Sequence, residues 1–401
     1  MDATLFGAPY VDLEDQLVLE EIHGMRDALS SVLRVPRRWT GGLRRTTQAR
    51  AIQGSNSIEG YSVTDDDALA AVDDDEPLTA DQRTWAEIIG YRRVLTYVLR
   101  MAGDPGFRLD AHTLKSMHFM LLEHDLNKSP GQFRPGDIYV EGDGGRRVYQ
   151  GPDADLVAEL VDALSRSLGD SRSSGLEPMV RAAMAHLNLV MIHPFRDGNG
   201  RMARALQTLV MAQDAVLEPT FSSIEEWLGS NTEDYYRILA ATGAGAWNPD
   251  RDAHLWVKFN LRAHHMQAQT LTRRFAEAER LGNQIDEVVR RLGLPERTFD
   301  PLFDAALGLR VRRPTYAKRT GVEDRTATRD LKALVDAKLL SPHGNTRGRF
   351  YLASGELMRV RDESRQRRQR LSDPYPWLME RVRAEARDAA VPVQMQGALH
   401  E

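Results

Sequence analysis

The chain has 401 residues, of which 42% are hydrophobic and 28% are charged, and its formal net charge is −5. These values are typical of a soluble globular protein of two or three domains, and they exclude a polycation that coats nucleic acid with its whole surface. The absence of cysteine excludes disulfides, thiolate metal sites and cysteine nucleophiles. We expect a cytoplasmic protein, because the N-terminus has no signal-peptide pattern and no apolar stretch approaches the roughly 20 residues of a membrane span.

Apolar residues at helical spacing recur along most of the chain, so the sequence predicts an all-α main body. The acidic stretch 64–77 is interpreted as a solvated helix surface or loop without a function. The predicted helices are 17–33, 85–101, 111–122, 153–168, 178–192, 201–213, 232–239 and 253–280.

One segment, residues 131–152, has the pattern of a β-hairpin. Two runs of β-forming residues, 138–140 and 148–149, flank a turn rich in glycine and aspartate. We therefore expect one small two-stranded element inside the helical body.

The stretch IHPFRDGNGRMAR, residues 192–204, combines features of an anion site. The glycines at Gly198 and Gly200 open a predicted helix, whose first amides have no internal partner and whose dipole favours negative charge. Arg201 and Arg204 are three residues apart, so they lie on one helical face and can reach the same anion.

A base and a metal ligand precede this helix. Asp197 is a hard oxygen ligand of the kind that Mg²⁺ takes together with phosphate oxygens. His193 titrates near neutral pH and can act as a general base. Taken singly, such residues are more often a helix cap, a turn and a solvated face, but their joint occurrence favours a site that holds a magnesium polyphosphate beside a base.

The composition changes after about Leu292. Between Arg310 and Arg349, eleven Lys or Arg residues stand against four Asp or Glu residues. The pattern predicts a short helix, a tight turn at Gly321, a longer helix over 325–338 and a two-stranded wing, which is the order of a winged helix-turn-helix. DNA binding and a purely protein-docking role both stay open, and the last residues are interpreted as a loose tail.

The stretch HPFRDGNGRMAR resembles, at every specified position, the active-site motif of the Fic family, His-x-Phe-x-(Asp/Glu)-Gly-Asn-Gly-Arg-x-x-Arg. PGQFRPGDIYV with the following GPDADLVAELVDAL resembles the family's flap hairpin, and NTEDYYRIL is similar to the segment that closes over the nucleotide base. The similarity extends from about Ala51 to Arg262. It implies a Fic-type helical bundle with a β-hairpin flap, followed here by the small winged helix-turn-helix domain.

This resemblance implies an enzyme that moves AMP from ATP onto a Tyr, Thr or Ser hydroxyl of a target protein and of itself. His193 would take the proton of the hydroxyl, and Asp197 would hold Mg²⁺. Relatives that phosphorylate carry a lysine at the position of Gly200, so the glycine favours adenylylation. The implied ATP-binding residues are His193, Gly198, Asn199, Gly200, Arg201, Met202, Ala203, Arg204, Asn231, Tyr235, Tyr236 and Glu59.

The flap would hold the target protein as an added strand through main-chain hydrogen bonds. Because such docking accepts many sequences, the target cannot be inferred from the flap. The implied docking residues are Asp137, Ile138, Tyr139 and Val140.

The stretch GSNSIEGYSVT contains Ser55, Glu59 and Gly60 at the spacing of the family's inhibitory signature, (Ser/Thr)-x-x-x-Glu-(Gly/Asn). Alone, these residues would be an ordinary helix cap and a surface acid. The resemblance implies instead that Glu59 pairs with Arg204 when the γ-phosphate is not seated, so that ATP binds unproductively. Removal of AMP at the same site is an alternative activity.

The expected domains are an N-terminal helical region at 1–110 with the inhibitory helix near 50–62, a Fic core at 111–265, a helical connector at 266–300, a winged helix at 301–360 and a C-terminal helix and tail at 361–401. The expected partners are ATP, a target protein, a second copy of the chain and DNA. A nucleotide-sensing transcriptional regulator is the alternative function. The candidate DNA contacts are Arg325, Arg329, Lys332, Arg347 and Arg349.

Overall fold

The computed structural model describes residues 4–141, 147–173, 175–213, 218–345, 348–365 and 370–388. These residues form α-helices with two small antiparallel sheets, which confirms the all-α fold class. Within the described ranges, no helix is long and apolar enough to cross a membrane. The helices are α1 Leu13–Leu33, α2 Arg38–Ile58, α3 Asp65–Asp73, α4 Gln82–Met101, α5 Ala111–Leu122, α6 Val157–Ser173, α7 Pro178–Ile192, α8 Asn199–Gln213, α9 Glu225–Ser230, α10 Thr232–Gly243, α11 His254–Arg291, α12 Phe299–Leu307, α13 Arg313–Thr320, α14 Asp324–Asp336, α15 Gly355–Ser364 and α16 Leu378–Asp388.

Helices α7 and α8 pack against each other at the centre of the main core. Nearly every residue of α7 is buried, including Met179, Leu187 and Ile192, because the helix is apolar on all sides. It begins with Pro178 at a first-turn position, where the missing amide costs no hydrogen bond. The short connection from α7 to α8 therefore emerges directly from the protein interior.

Helix α2 was absent from the helices predicted by apolar spacing. Its buried face consists mainly of small and polar residues, so the apolar period that marks a helix is weak. Gly54 shows that the backbones of α2 and α9 lie too close for a larger residue, since a Cβ atom there would lie 2.5 Å from the carbonyl oxygen of Glu225. The expected inhibitory helix near 50–62 is the C-terminal part of α2, which ends at Ile58 and leaves Glu59 as its cap.

Helix α11 runs without a break from His254 to Arg291, through the expected domain boundary between residues 265 and 266. Its apolar residues continue at helical spacing, with Phe275, Leu281 and Ile285 buried, so nothing in the sequence ends the helix at that boundary. The C-terminal half of α11 packs with α12 and with Trp39 of α2 in a second core.

The flap is an antiparallel pair of β1 (Tyr139–Glu141) and β2 (Arg147–Gln150). Ile138 precedes the first strand, and the predicted turn at 142–146 lies outside the described residues. The hydroxyl of Tyr149 donates to the carbonyl oxygen of Met191 at 2.7 Å, which fixes the flap to the end of α7.

The C-terminal unit follows the predicted order of helix, turn, helix and hairpin. Gly321 ends α13 with φ +66°, in the left-handed region that favours glycine, and α14 follows. Strands β3 (Leu340–His343) and β4 (Phe350–Ala353) form the hairpin. The winged-helix name stays an interpretation of this order, and Arg347 and the tail 389–401 lie outside the described residues.

The acidic stretch 64–77 was interpreted as a solvated helix surface or loop without a function; it contains helix α3, but not all of its carboxylates face solvent. Asp66 accepts a hydrogen bond from the backbone amide of Arg310 at 2.8 Å, and Asp75 accepts one from the hydroxyl of Thr315 at 2.6 Å. The stretch therefore joins the segment that follows Glu59 to the basic C-terminal unit. Its carboxylates are drawn to α13 and to the residues just before it because these carry several positive charges.

Candidate active site

His193 stands at the end of α7 with its ring poised as a proton acceptor. Its backbone is left-handed, with φ +52°, which turns the chain out of the helix. The Nδ1 atom lies 3.1 Å from the carbonyl oxygen of Val190, so Nδ1 carries the proton and Nε2 keeps its lone pair. Burial lowers the pKa of His193 below its usual value, so the ring is neutral at physiological pH.

The side chain of Asn199 bonds to the backbone of the loop itself. Its side-chain oxygen accepts from the amide of Phe195 and its side-chain nitrogen donates to the carbonyl oxygen of the same residue, both at 2.9 Å. The side chain of Asn199 thus holds the backbone of the loop, and contact of Asn199 with phosphate stays a prediction. Phe195 in turn stacks on the ring of His118, with centroids 3.8 Å apart.

Two residues that the motif does not include, His118 and Arg134, support the loop. His118 accepts from the amide of Gly131 at 2.8 Å and donates to the carbonyl oxygen of Asp197 at 2.9 Å, and burial lowers its pKa to about 4. Arg134 donates to the carbonyl oxygen of His193 at 2.9 Å. Both side chains thus connect the base of the flap to the loop. The signal for Arg134 in the sequence was an arginine inside the flap segment.

Asp197 lies in a network of alternating charges. One of its carboxylate oxygens accepts from the amide of Gly198 at 2.6 Å, and the other lies 2.8 Å from the ammonium of Lys128. Burial would raise the pKa of Asp197, but Arg201 and Lys128 hold it below the usual value. A carboxylate that is ionised and already faces a cation has the chemistry of a Mg²⁺ ligand.

Glu87, which has no place in the motif, completes this network. Its carboxylate lies 2.5 Å from Arg201 and 2.8 Å from Lys128, and it is only 1% exposed. Burial would raise the pKa of Glu87, but the hydrogen bond with His124 and the charges of Arg201 and Lys128 hold it far below its usual range. Arg201, expected to face a distal phosphate, is thus held by a protein carboxylate in this structure.

Arg204 is held by Glu59 and Ser55. The guanidinium donates to the Glu59 carboxylate at 2.7 Å, to the Ser55 hydroxyl at 2.8 Å and to the Ser55 carbonyl oxygen at 2.9 Å. Burial opposes the charge of Arg204, but Glu59 keeps its pKa above the usual value. The structure thus brings together the three residues that the inhibitory signature and the motif named separately.

Gly200 shows where the Glu59 carboxylate sits. A Cβ atom added at Gly200 would lie 2.5 Å from Glu59 Oε1 and 3.2 Å from Arg204 Nη1. The carboxylate therefore lies directly against the first turn of α8, which is the end of a helix that favours an anion. Gly60, just after the glutamate, has φ +83°, so it turns the chain away from this point without steric cost.

Four further residues expected to bind ATP are engaged in contacts within the protein, and nucleotide contact at these positions stays a prediction. Met202 and Ala203 are fully buried in the core, because they follow Arg201 on the faces of α8 that pack inside the protein. Tyr235 is 1% exposed, its ring centroid lies 5.9 Å from the guanidinium carbon of Arg204, and its hydroxyl pairs with His186 at 2.9 Å. Asn231 donates to the carbonyl oxygen of Trp227 at the junction of α9 and α10.

Tyr236 and the flap residues lie nearer the surface. The hydroxyl of Tyr236 donates to the carbonyl oxygen of Ile58 at 3.0 Å, immediately before Glu59. Asp137 is exposed, whereas Ile138, Tyr139 and Val140 are half-buried beside the loop.

A separate surface of the C-terminal unit carries the candidate DNA contacts. The side chains that the structure describes are all exposed, and those on α14 follow one face of the helix. They are Arg325, Arg329, Lys332 and Arg349.

The model of the Fic/DOC family matches residues 108–211. "Protein adenylyltransferase fic-1" of Caenorhabditis elegans is 25% identical over 248 residues, which are 60% of this chain and 45% of the relative. "Protein adenylyltransferase Fic" of Drosophila melanogaster is 31% identical over 211 residues, which are 51% of this chain and 40% of the relative. The chain thus spans less than half the length of these curated relatives.

Solved structures show the same fold. A Fic family protein from Desulfovibrio desulfuricans G20 has a TM-score of 0.53 at 22% identity, and the match covers 87% of this chain and 98% of that one. Fic-1 from C. elegans has a TM-score of 0.50 at 22% identity, with 64% of this chain and 71% of that one covered. The motif and the fold agree with this match of residues 108–211 to the Fic/DOC family.

Proposed function

We propose that this protein transfers AMP from ATP to a Tyr, Thr or Ser hydroxyl of a target protein and of itself, and that Glu59 inhibits the transfer. The observation that carries the proposal is the Glu59 carboxylate, which lies 2.7 Å from Arg204 and against Gly200 at the start of α8. An anion is already bound where a terminal phosphate would lie, beside a neutral histidine base. The names of the relatives support the same activity.

In the reaction, Nε2 of His193 accepts the proton of the target hydroxyl as the hydroxyl oxygen forms a bond to the α-phosphorus. The bond from that phosphorus to the bridging oxygen breaks, and pyrophosphate leaves. Asp197 would hold Mg²⁺, which supplies charge neutralisation of the phosphates when it is bound. The backbone amide of Gly200, in the first turn of α8, would face the phosphates, and Arg204 would neutralise the distal one.

Inhibition follows from competition for one guanidinium. A productive γ-phosphate and the Glu59 carboxylate both require Arg204, and the buried position makes an unpaired charge there costly. With Glu59 in place, ATP would bind with its α-phosphate turned from the hydroxyl.

The test is incubation with labelled ATP and Mg²⁺, followed by mass spectrometry of the protein. Glu59→Gly should raise labelling of the protein and of added targets well above the wild type, and a second change, His193→Ala, should abolish it. Glu59→Gln is the matched variant, since it keeps the size of the side chain and removes its negative charge. An added AMP supports the proposal, whereas an added phosphate or no label from Glu59→Gly contradicts it.

We propose a second function for the C-terminal unit, the binding of duplex DNA. Arg325, Arg329 and Lys332 are exposed at i, i+4 and i+7 of α14 and have no ion pair within the described residues. The nearby Arg313 and Arg319, in contrast, are paired with carboxylates. Cations that the protein leaves free on one helical face suit a phosphate backbone.

A gel-shift titration with a duplex at increasing salt tests this binding. The charge reversals Arg325→Glu and Arg329→Glu together should remove the shift, while the exposed pair Arg83→Glu and Arg100→Glu on α4 should leave it. No shift at low salt would contradict DNA binding. A shift that depends on ATP, without AMP on the protein, would favour the nucleotide-sensing regulator instead.

Three expectations stay predictions. Removal of AMP at the same site would appear as AMP release from modified protein in the wild type but not in Glu59→Gly. A homodimer would appear as a doubled mass in light scattering. The cytoplasmic location requires microscopy in the source cell.

A further inference from the structure

Lys128 contacts Asp197 of the motif but is not itself part of the motif. It lies on the short turn Leu126–Lys128 after α5, and its ammonium is 2.8 Å from Asp197 Oδ2 and 2.8 Å from Glu87 Oε1. The side chain is 17% exposed, so the contact is largely shielded from solvent. Oδ2 of Asp197, the oxygen that does not accept from the Gly198 amide, therefore contacts a cation of the protein itself.

We propose that Lys128 keeps divalent cations out of the nucleotide-free site, so that the metal enters only together with the phosphates of ATP. The inference rests on the proposed function for one point alone, that Asp197 is the metal ligand. The ammonium and a divalent cation need the same carboxylate oxygen, and the two cannot share it at contact distance because they repel each other.

The charges of the network account for the exclusion. Asp197 and Glu87 carry two negative charges, and Lys128 and Arg201 carry two positive charges in direct contact with them. The neighbouring pair of Glu59 and Arg204 is balanced as well. A divalent cation that enters this neutral cluster gains little attraction and loses hydration, whereas phosphates add the negative charge that it lacks.

Two further ionisable groups lie beside the cluster: Tyr61, whose ring centroid is 5.4 Å from the Arg201 guanidinium, and His124, whose Nε2 is 3.3 Å from Glu87. His124 contacts Glu87 on the same oxygen as Lys128 does, and it does not contact Asp197. Loss of the Lys128 charge would therefore leave Asp197 Oδ2 without a cation in contact. The side chain that controls access to this oxygen is Lys128.

A purely structural role is the alternative. Lys128 also joins the turn after α5 to Glu87 on α4, so its loss would lower the stability of the protein in either case. Only the exclusion role changes the affinity of the nucleotide-free protein for a divalent cation, and this difference makes metal binding the decisive measurement.

The experiment is a Mn²⁺ titration of the nucleotide-free protein, in which electron paramagnetic resonance measures the free ion. Mn²⁺ replaces Mg²⁺ because it takes the same oxygen ligands and gives a signal. Lys128→Met should bind Mn²⁺ at least roughly tenfold more tightly than the wild type, as removal of one adjacent positive charge predicts. A second change, Asp197→Asn, should cancel that gain.

Lys115→Met is the matched control, because Lys115 lies nearby on α5 with its ammonium over the ring of Phe133 at 4.2 Å. It should leave Mn²⁺ affinity unchanged. Lys128→Gln repeats the test if the methionine variant does not fold. Equal affinity of the folded Lys128 variant and the wild type, or a gain that survives Asp197→Asn, overturns the proposal. The readout requires no AMP transfer, so a failure of the labelling experiment leaves this test independent.

Discussion

A buried carboxyl near the site, Glu225 at the start of α9, makes the stability of the protein depend on pH. It is 1% exposed, and one of its oxygens accepts from the hydroxyl of Thr208 at 2.9 Å. The other oxygen has no hydrogen-bond partner in the part of the chain that the structure describes. Burial raises the pKa of Glu225 from its ordinary 4.5 to about 7, against the lowering effects of Tyr91, Thr208 and Arg204.

The sign follows from proton binding. Between the two pKa values, the folded protein holds a proton that the unfolded chain has already released, so stability falls as the pH rises from 4.5 and levels off above about 7. The whole step corresponds to at most about 3 kcal/mol of unfolding free energy. Glu225→Gln removes the charge but keeps an acceptor for Thr208. We therefore expect this variant to gain about 2 to 3 kcal/mol relative to the wild type between pH 5 and pH 8.5.

The assay is urea unfolding of both proteins at the two pH values, followed by circular dichroism. Glu226→Gln is the control at the next position, where the carboxylate pairs with Arg274 at 2.5 and 2.6 Å. Burial opposes the Glu226 charge, but Arg274 lowers its pKa below the ordinary value. Its contribution is complete above 4.5 and is lost only at lower pH, so Glu226→Gln should destabilise equally at both pH values. A pH-independent effect of Glu225→Gln would refute the reasoning.

Three other changes test the contacts around the site. Tyr236→Phe removes the hydrogen bond to the carbonyl oxygen of Ile58, which is worth about 1 kcal/mol. The variant should raise basal labelling with ATP roughly fivefold. An unchanged rate would show that Tyr236 has no part in the inhibition. Arg134→Ala frees the carbonyl oxygen of His193 and should lower labelling at least roughly tenfold in the Glu59→Gly background, as measured by initial rates. Asp75→Asn should lower unfolding free energy by about 1 kcal/mol, less at high salt, in urea titrations at two ionic strengths.

The motif allowed accurate prediction of the loop because its chemistry is local. Residues 193–204 are contiguous, and a helix end, a glycine pair and an arginine pair dictate their own arrangement. Five of the eight helices predicted from apolar spacing agree with the structure at their C-terminal end, and α5 and α7 agree at both ends. The prediction was weakest where a helix is buried through small residues, as α2 is.

The partners of the loop could not be predicted from its sequence, because they come from distant segments. Glu87 and Lys128 lie 114 and 73 residues before Arg201, and no spacing rule connects them to it. Asn199 shows a second limit of the motif, which fixes the residue but does not indicate that both ends of its side chain bond to Phe195 of the loop. Residue type indicates which chemistry is available, and only packing shows what that chemistry contacts.

Protein side chains lie where the phosphate and the metal of the proposed ligand would bind. Glu59 puts a carboxylate against Arg204 and the first turn of α8, where a phosphate would lie. Lys128 puts an ammonium on Asp197, where the metal would lie. Each of these side chains has the charge sign of the group whose place it takes, so Arg204 and Asp197 are both paired with an opposite charge in this structure. Because the metal and the phosphates displace different residues, variants at Glu59 and Lys128 should separate control of catalysis from control of metal entry.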